Sequence, residues 1–171
     1  MALRLNLASG TDIKDGWQNL DIVPRWPLAT RGCDVVWDAR KDALPYADGT
    51  VSEVYAGYLF LHVPPRHHQR LIADIYRVLR SGGVLVVGEV DMAKVMPRWL
   101  DDPGSKNLSE LIWGEGGDVH GAEFEDFDRH VWGWTESKLR RFLEQAGFRS
   151  ISRTSIHAAG VWYELTLVGV R

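Results

Sequence analysis

The stretch Leu71-Ile72-Ala73-Asp74-Ile75-Tyr76-Arg77-Val78-Leu79-Arg80-Ser81-Gly82-Gly83-Val84-Leu85-Val86-Val87-Gly88-Glu89 changes its period halfway along. In its first half Leu71, Ile72, Ile75, Val78 and Leu79 recur at the spacing of a helix packed on a sheet. After Ser81-Gly82-Gly83, Gly83 to Glu89 reads as a near-continuous apolar strand, the pattern of a central strand covered on both faces. Pro64-Pro65 opens the helix and Gly82 closes it. Working outward, Leu3 to Leu7, Asn19 to Val23, Asp34 to Asp38 and Val51 to Gly57 read as four earlier strands. Downstream, Thr135 is placed to N-cap a helix with Glu136 in its first turn, Leu139, Phe142, Leu143 and Ala146 on one face, and Gly147 as its stop. Phe148 to Ile156 and Val161 to Val170 alternate like two strands joined through Ala158-Ala159-Gly160, a connection that makes them antiparallel neighbours. The expected fold is α/β, with a mostly parallel seven-stranded sheet and an antiparallel C-terminal strand.

The length of 171 residues suits one domain, 1–171. Apolar residues at 45% and charged residues at 25% exclude a disordered or collagen-like chain. With 20 basic against 23 acidic residues the formal charge is -3, which gives no general field to draw a nucleic acid. Cys33 is the single cysteine, so neither a disulfide framework nor a cysteine-built zinc site is available. Neither a leader nor a bilayer-spanning run is read, and a cytoplasmic location is expected. Between the fifth strand and the Thr135 helix lies a long stretch read as irregular, residues 92–134, with Trp99, Trp113, Trp132 and Trp134. An aromatic-rich insertion of that length is expected to be a substrate-binding lid.

In an open α/β sheet the ligand crevice lies beyond the carboxyl ends of the strands. Ala8-Ser9-Gly10 follows the first strand and permits close approach to the backbone. Asp21 stands near the end of the second strand, where a carboxylate can accept the hydroxyls of a ribose. Asp38, followed by Ala39, ends the third, where it can accept an adenine amino group. Together these read as a nucleoside cradle.

At these residues the chain resembles the class I S-adenosylmethionine-dependent methyltransferases, in particular their compact type-11-like subgroup. The resemblance is carried by Leu5-Asn6-Leu7-Ala8-Ser9-Gly10, Gly16-Trp17-Gln18-Asn19-Leu20-Asp21, Asp34-Val35-Val36-Trp37-Asp38-Ala39-Arg40 and Leu44-Pro45-Tyr46-Ala47-Asp48-Gly49. It continues through Val54 to Val63, Tyr76 to Gly83 and Trp134 to Phe148, and so covers nearly the whole chain. It implies a Rossmann-like methyltransferase fold and S-adenosyl-L-methionine as cofactor. Ala8, Ser9 and Gly10 would lie against the methionine moiety, Asp21 on the ribose, Asp38 and Ala39 at the adenine, and Gly57 with Tyr58 along the pocket after the fourth strand. Three residues depart from the pattern: Ala8 replaces the usual first glycine, Leu61 the Glu often found before the histidine, and Ser81 the usual Pro. The interval 8–18 is barely long enough for a crossover helix, so the first helix is expected to be vestigial.

Methyl transfer from a sulfonium is an in-line displacement, so orientation supplies most of the catalysis and a base is needed only when the acceptor must lose a proton. His62 is either such a base or a turn-orienting residue. His130 is either a base or an anchor of the lid, and His120, Trp132 and Trp134 complete the expected lid. No metal is expected: Asp118, His120, Asp126, Asp128 and His130 read as a solvated acidic loop, and His67-His68 as a solvated face. Val63-Pro64-Pro65-Arg66 lacks the residues that grip a flipped base, which disfavours nucleic acid. The expected acceptor is an O or N of a small molecule or sugar-type compound, with a homodimer open; the alternative is a non-catalytic binder of the same cofactor.

Overall fold

The computed structural model describes residues 2–114, 125–155 and 163–171. Seven strands form one sheet: β1 (Leu3–Leu7), β2 (Gln18–Asp21), β3 (Val35–Val36), β4 (Val51–Gly57), β5 (Leu79–Val90), β6 (Arg149–Thr154) and β7 (Glu164–Val170). Their order is β3-β2-β1-β4-β5-β7-β6. The first five are parallel to their neighbours, whereas β7 runs antiparallel to both β5 and β6. The strand order reverses between β1 and β4, which puts a crevice at their carboxyl ends. The expected seven-stranded α/β sheet is therefore present.

The helices are α1 (Leu59–His62), α2 (His68–Val78), α3 (Met92–Asp101), α4 (Lys106–Trp113), α5 (Glu125–Asp128) and α6 (Glu136–Gln145). The expected α2 and α6 form, because both present an apolar stripe to the same core. Leu71, Ile72 and Ile75 of α2 and Leu139, Phe142 and Leu143 of α6 join Leu5, Leu7, Val54, Leu85 and Leu167 of the sheet in one buried cluster. Phe60 meets Phe142 edge-on at a centroid distance of 5.4 Å, a favoured aromatic geometry. Successive strand residues face opposite ways, so Val84, Val86, Val168 and Val170 point away from this layer and are only half-buried.

Three expectations change. Gly82 does not end α2: the helix stops at Val78, Leu79 pairs with Val51, and Arg80 to Gly83 bulge out before Val84 pairs with Glu53. The strand has taken over the turn, because Gly82 at φ 70° accommodates the bulge and its N–H donates to Arg171 O. The stretch 92–134 is not irregular throughout, since α3 and α4 fill its first half. Asp91 N-caps α3 by accepting from Ala93 N, and Leu108, Leu111 and Ile112 of α4 pack with Val95 of α3. His68 belongs to no solvated face: it is 4% exposed, with Nε2 2.7 Å from Val63 O and its ring stacked on Trp134. The joint through Ala158-Ala159-Gly160 lies outside the described residues.

No helix follows β1, so the expectation of a vestigial first helix is met by a set of turns across residues 8–17. The chain reverses there through Ala8 at φ 51° and Gly10 at φ 50°. The left-handed region suits Gly10 and strains Ala8 through its Cβ. Replacing Ala8 with Gly should therefore stabilise the fold by about 1 kcal/mol, the relief of strain exceeding the added unfolded-state entropy. Urea unfolding should show a higher midpoint at constant slope; a lower midpoint would refute the left-handed assignment.

Candidate functional site

A cavity of about 370 Å³ opens at the carboxyl edge of the sheet where β1 and β4 part. That volume is in the range of small-molecule and cofactor sites. Ala8, Ser9 and Gly10 line it after β1, Asp21 at the end of β2, Asp38 and Ala39 after β3, and Gly57 and Tyr58 at the end of β4. The eight cradle residues singled out in the sequence thus share one cavity. Gly57 is fixed by its neighbour, since a Cβ there would fall 2.7 Å from Tyr55 Oη. Tyr58, at φ 56°, turns the chain from β4 into α1 and is anchored by its N–H to Gly88 O.

The two acids are held differently. Asp21, 4% exposed, accepts from Gly10 N at 2.8 Å through Oδ2, and from Val23 N at 2.9 Å and Trp26 Nε1 at 3.0 Å through Oδ1. A carboxylate has about four acceptor positions, so one on Oδ2 stays open. Asp38 is gripped by Arg40, Nε to Oδ1 and Nη2 to Oδ2, each at 2.9 Å. That hydrogen-bonded fork holds the Asp38 carboxyl below the usual range despite burial.

The rest of the wall was not read from sequence as a site. Asn6, Trp26, Trp37, Arg40, Tyr55 and Phe127 all line the cavity. Asn6 had a signal, a polar residue between two core leucines, and it is buried with Nδ2 donating to Asn19 Oδ1 and Asp12 O. Trp26 and Phe127 had none, because they lie outside any periodic element. Ser9 Oγ and Trp37 Nε1 are buried without a hydrogen-bond partner among the described residues. Asp128 Oδ2, on the same wall, is a third such atom; buried polar groups are ordinarily satisfied, so three on one wall fit a ligand that supplies a donor or acceptor to Ser9, an acceptor to Trp37 and a donor to Asp128.

Beyond Tyr58 the wall passes to His62. Its Nδ1 lies 3.3 Å from Arg129 O, so that nitrogen carries the proton and donates, leaving the Nε2 lone pair unprotonated. Its ring packs against His130 at 4.8 Å, and His130 Nδ1 lies 3.1 Å from Leu111 O. Burial, then the neighbouring His130, push the His62 pKa down to about 3; burial also lowers those of His68 and His130. Trp132 is 41% exposed and Trp134 only 5%, the latter part of the main core. His120 lies outside the described residues. Below His62, the wholly buried Glu89 accepts from Phe60 N at 2.9 Å, and burial raises its pKa well above the ordinary carboxyl value.

Comparison with known proteins bears on the fold. Residues 23–87 match the Methyltransf_11 family, described as a methyltransferase domain. A SAM-dependent methyltransferase from Archaeoglobus fulgidus superposes with a TM-score of 0.65 at 12% identity, covering 99% of this chain and 86% of that one. A Thermotoga maritima SAM-dependent methyltransferase, described as a possible histamine N-methyltransferase, gives 0.61 at 17% identity, covering 99% and 82%. The trans-methyltransferase CalH in complex with SAH gives 0.60 at 16% identity, covering 99% of this chain and 51% of that one. No curated protein matches in sequence. The sheet order and these superpositions define a Rossmann-like methyltransferase fold. The family match places a methyltransferase-domain sequence pattern on residues 23–87, within that fold.

The titrating groups set a pH dependence with two signs. Histidines held neutral in the fold take up protons in the unfolded chain near 6.5, so their contribution is lost as pH falls below that value. Glu89 keeps its proton in the fold while the unfolded chain releases it near 4.5, so its contribution is full below 4.5 and erodes as pH rises. Glu89→Gln keeps a neutral acceptor for Phe60 N. Its melting temperature relative to the native chain should therefore rise steadily from about pH 5 to about pH 8; a difference independent of pH would mean that Glu89 is ionised in the fold.

Proposed function

We propose that the chain transfers the methyl group of S-adenosylmethionine to an oxygen or nitrogen of a small molecule or sugar-type acceptor, from the cavity at the β1/β4 switch. The observation that carries the reading is the cavity wall itself. Among the described residues it has three buried polar atoms without partners, Ser9 Oγ, Trp37 Nε1 and Asp128 Oδ2, beside the strand-end acids Asp21 and Asp38 spaced along the sheet edge. When bound, the cofactor supplies an electrophilic methyl group on sulfur. The chain's own residues bind and orient. Ala8, Ser9 and Gly10 take the methionine portion, the strained turn bringing backbone close to it. Asp21 has one open acceptor position and so takes a single ribose hydroxyl rather than both. Asp38 with Ala39 takes the adenine edge, and Trp37 Nε1 donates to a ring or ribose acceptor.

At the acceptor end, His62 is neutral at physiological pH and offers Nε2 as a hydrogen-bond acceptor, which orients an O–H or N–H donor with its lone pair toward the methyl group. A pKa near 3 makes it a poor store for a proton, so its part is positioning, and His130 supports it from behind. Asp126 and Asp128 stand on the same cavity wall. Their charge, with the formal net charge of -3, opposes a polyanion and supports a small acceptor. No helix among the described residues is long and apolar enough to cross a membrane.

Calorimetry with S-adenosylhomocysteine tests the cofactor half. The native chain should bind it and ignore NAD, and Asp38→Ala should weaken binding about tenfold through loss of a charge-assisted hydrogen bond. Unchanged affinity in Asp38→Ala would remove the adenine assignment. Release of S-adenosylhomocysteine over a panel of small hydroxyl and amine acceptors tests transfer; binding without release for every acceptor would favour the non-catalytic binder.

A further inference from the structure

The chain leaves the sheet after β5 at Asp91 and returns to the same point at Trp134, just before α6. Asp91 forms a parallel bridge with Trp134, and Met92 N donates to Trp134 O at 2.9 Å. On the way back it is fastened to α1, Val131 N and Trp132 N both donating to Leu61 O. Between these fastenings and α4, the short α5 reaches across the carboxyl edge to the far side of the cavity. There Phe127 packs against the small cluster of Val23, Trp26 and Ala29 that follows β2. The Arg40 guanidinium, held by Asp38 after β3, lies 5.7 Å from the centroid of the Phe127 ring. The ring therefore spans the gap between the ends of β2 and β3 and lines the cavity with them. Phe127 thus fastens the returning segment to the small cluster after β2 while its ring stays at the cavity wall. The main cluster lies beneath the sheet, and Phe127 takes no part in it.

We propose that Phe127 is the outer wall of the base-binding slot and stacks on the adenine of the cofactor, so that the segment after β5 binds the nucleoside as well as facing the acceptor. This rests on the reading that the adenine lies against Asp38 and Ala39. A flat aromatic base between the sheet edge and a phenyl ring is the arrangement that aromatic stacking favours, and the Arg40 guanidinium over the Phe127 ring holds that ring at the cavity. Two more residues of the cavity wall, Asp126 and Asp128, flank Phe127 in sequence, and His130, in ring contact with His62, follows. A cofactor that holds Phe127 therefore also sets the acceptor end, and the acceptor should bind after the cofactor.

The test compares Phe127→Ala, Phe127→Leu and Phe127→Tyr with the native chain in calorimetry with S-adenosylhomocysteine. Melting temperatures without ligand identify any variant that has lost its fold. Phe127→Ala should weaken binding about tenfold, the size of one base–aromatic stack, and Phe127→Leu should recover only part of it. Phe127→Tyr should bind like the native chain. Equal affinity in Phe127→Ala and native protein, with both binding and both folded, overturns the stacking role and leaves the cofactor reading intact. Failure of the native chain itself to bind would instead strike the cofactor reading. Full recovery by leucine would mean that Phe127 only fills space, which also overturns the proposal.

Discussion

The carboxylate of Asp21 ties together two segments that no helix holds. One oxygen receives the Gly10 amide from the turn after β1; the other receives Val23 N and the Trp26 indole from the loop after β2. In most α/β sheets those loops are the mouths of crossover helices, and the helices fix them. Here residues 8–17 and 22–34 contain only turns and bends. Besides a few backbone turn bonds, such as Asp12 N to Ser9 O and Cys33 N to Pro24 O, they are held by side-chain hydrogen bonds to backbone, which are stronger and more directional when the acceptor is charged and shielded from water. Asn19 does the same one residue pair earlier, receiving Lys14 N through Oδ1 and donating to Asp34 through Nδ2. The edge of the cavity is thus braced from within the sheet.

That bracing explains why a chain of this length still has a well-packed core. Both long core helices lie on one side of the sheet, where Phe60, His68, Trp134 and Phe142 close the layer with mutual ring contacts. His68 is part of this packing because its Nε2 reaches two carbonyls, Phe60 O and Val63 O, that the short α1 and the prolines after it leave open. At the far edge Arg153 joins β6 to α6 through Glu136 at 2.6 Å and to the end of β5 through Asp91 at 3.3 Å. The exposed part of that network contributes little by itself. Its position matters more, since Asp91 is also the N-cap of α3 and the point where the long excursion closes.

The sheet was legible because strand periodicity is local and strong. Leu3–Leu7 and Val51–Gly57 fall where alternation and burial put them, and the acids that end β2 and β3 reach the cavity because strand ends converge there in any such sheet. Arg80 to Gly83 misled because the same Ser-Gly-Gly signal serves a turn between elements and a bulge inside one; only pairing with Val51 and Glu53 decides between them. His68 was read as solvated because two adjacent histidines at a helix start look polar, whereas its burial depends on Trp134, sixty-six residues away in sequence. Phe127 carried no signal at all, since a residue whose partners come from the loop after β2 and from Arg40 has no period to show.

The same separation bears on the chemistry at the acceptor end. A general base for this reaction would need a pKa near the working pH, and neutral burial with a second imidazole beside it takes His62 far below that. The hydrogen bond to Arg129 O comes from the excursion, not from α1, so the excursion fixes which nitrogen of His62 is left with a lone pair. On the proposed reading, then, His62 selects acceptors by the hydrogen they donate and leaves the proton to solvent. An acceptor of that kind must be nucleophilic while still protonated, as a neutral amine is and an unactivated alcohol is not. Within the proposed O- or N-acceptor class, the tether on one imidazole nitrogen therefore tilts the balance toward nitrogen.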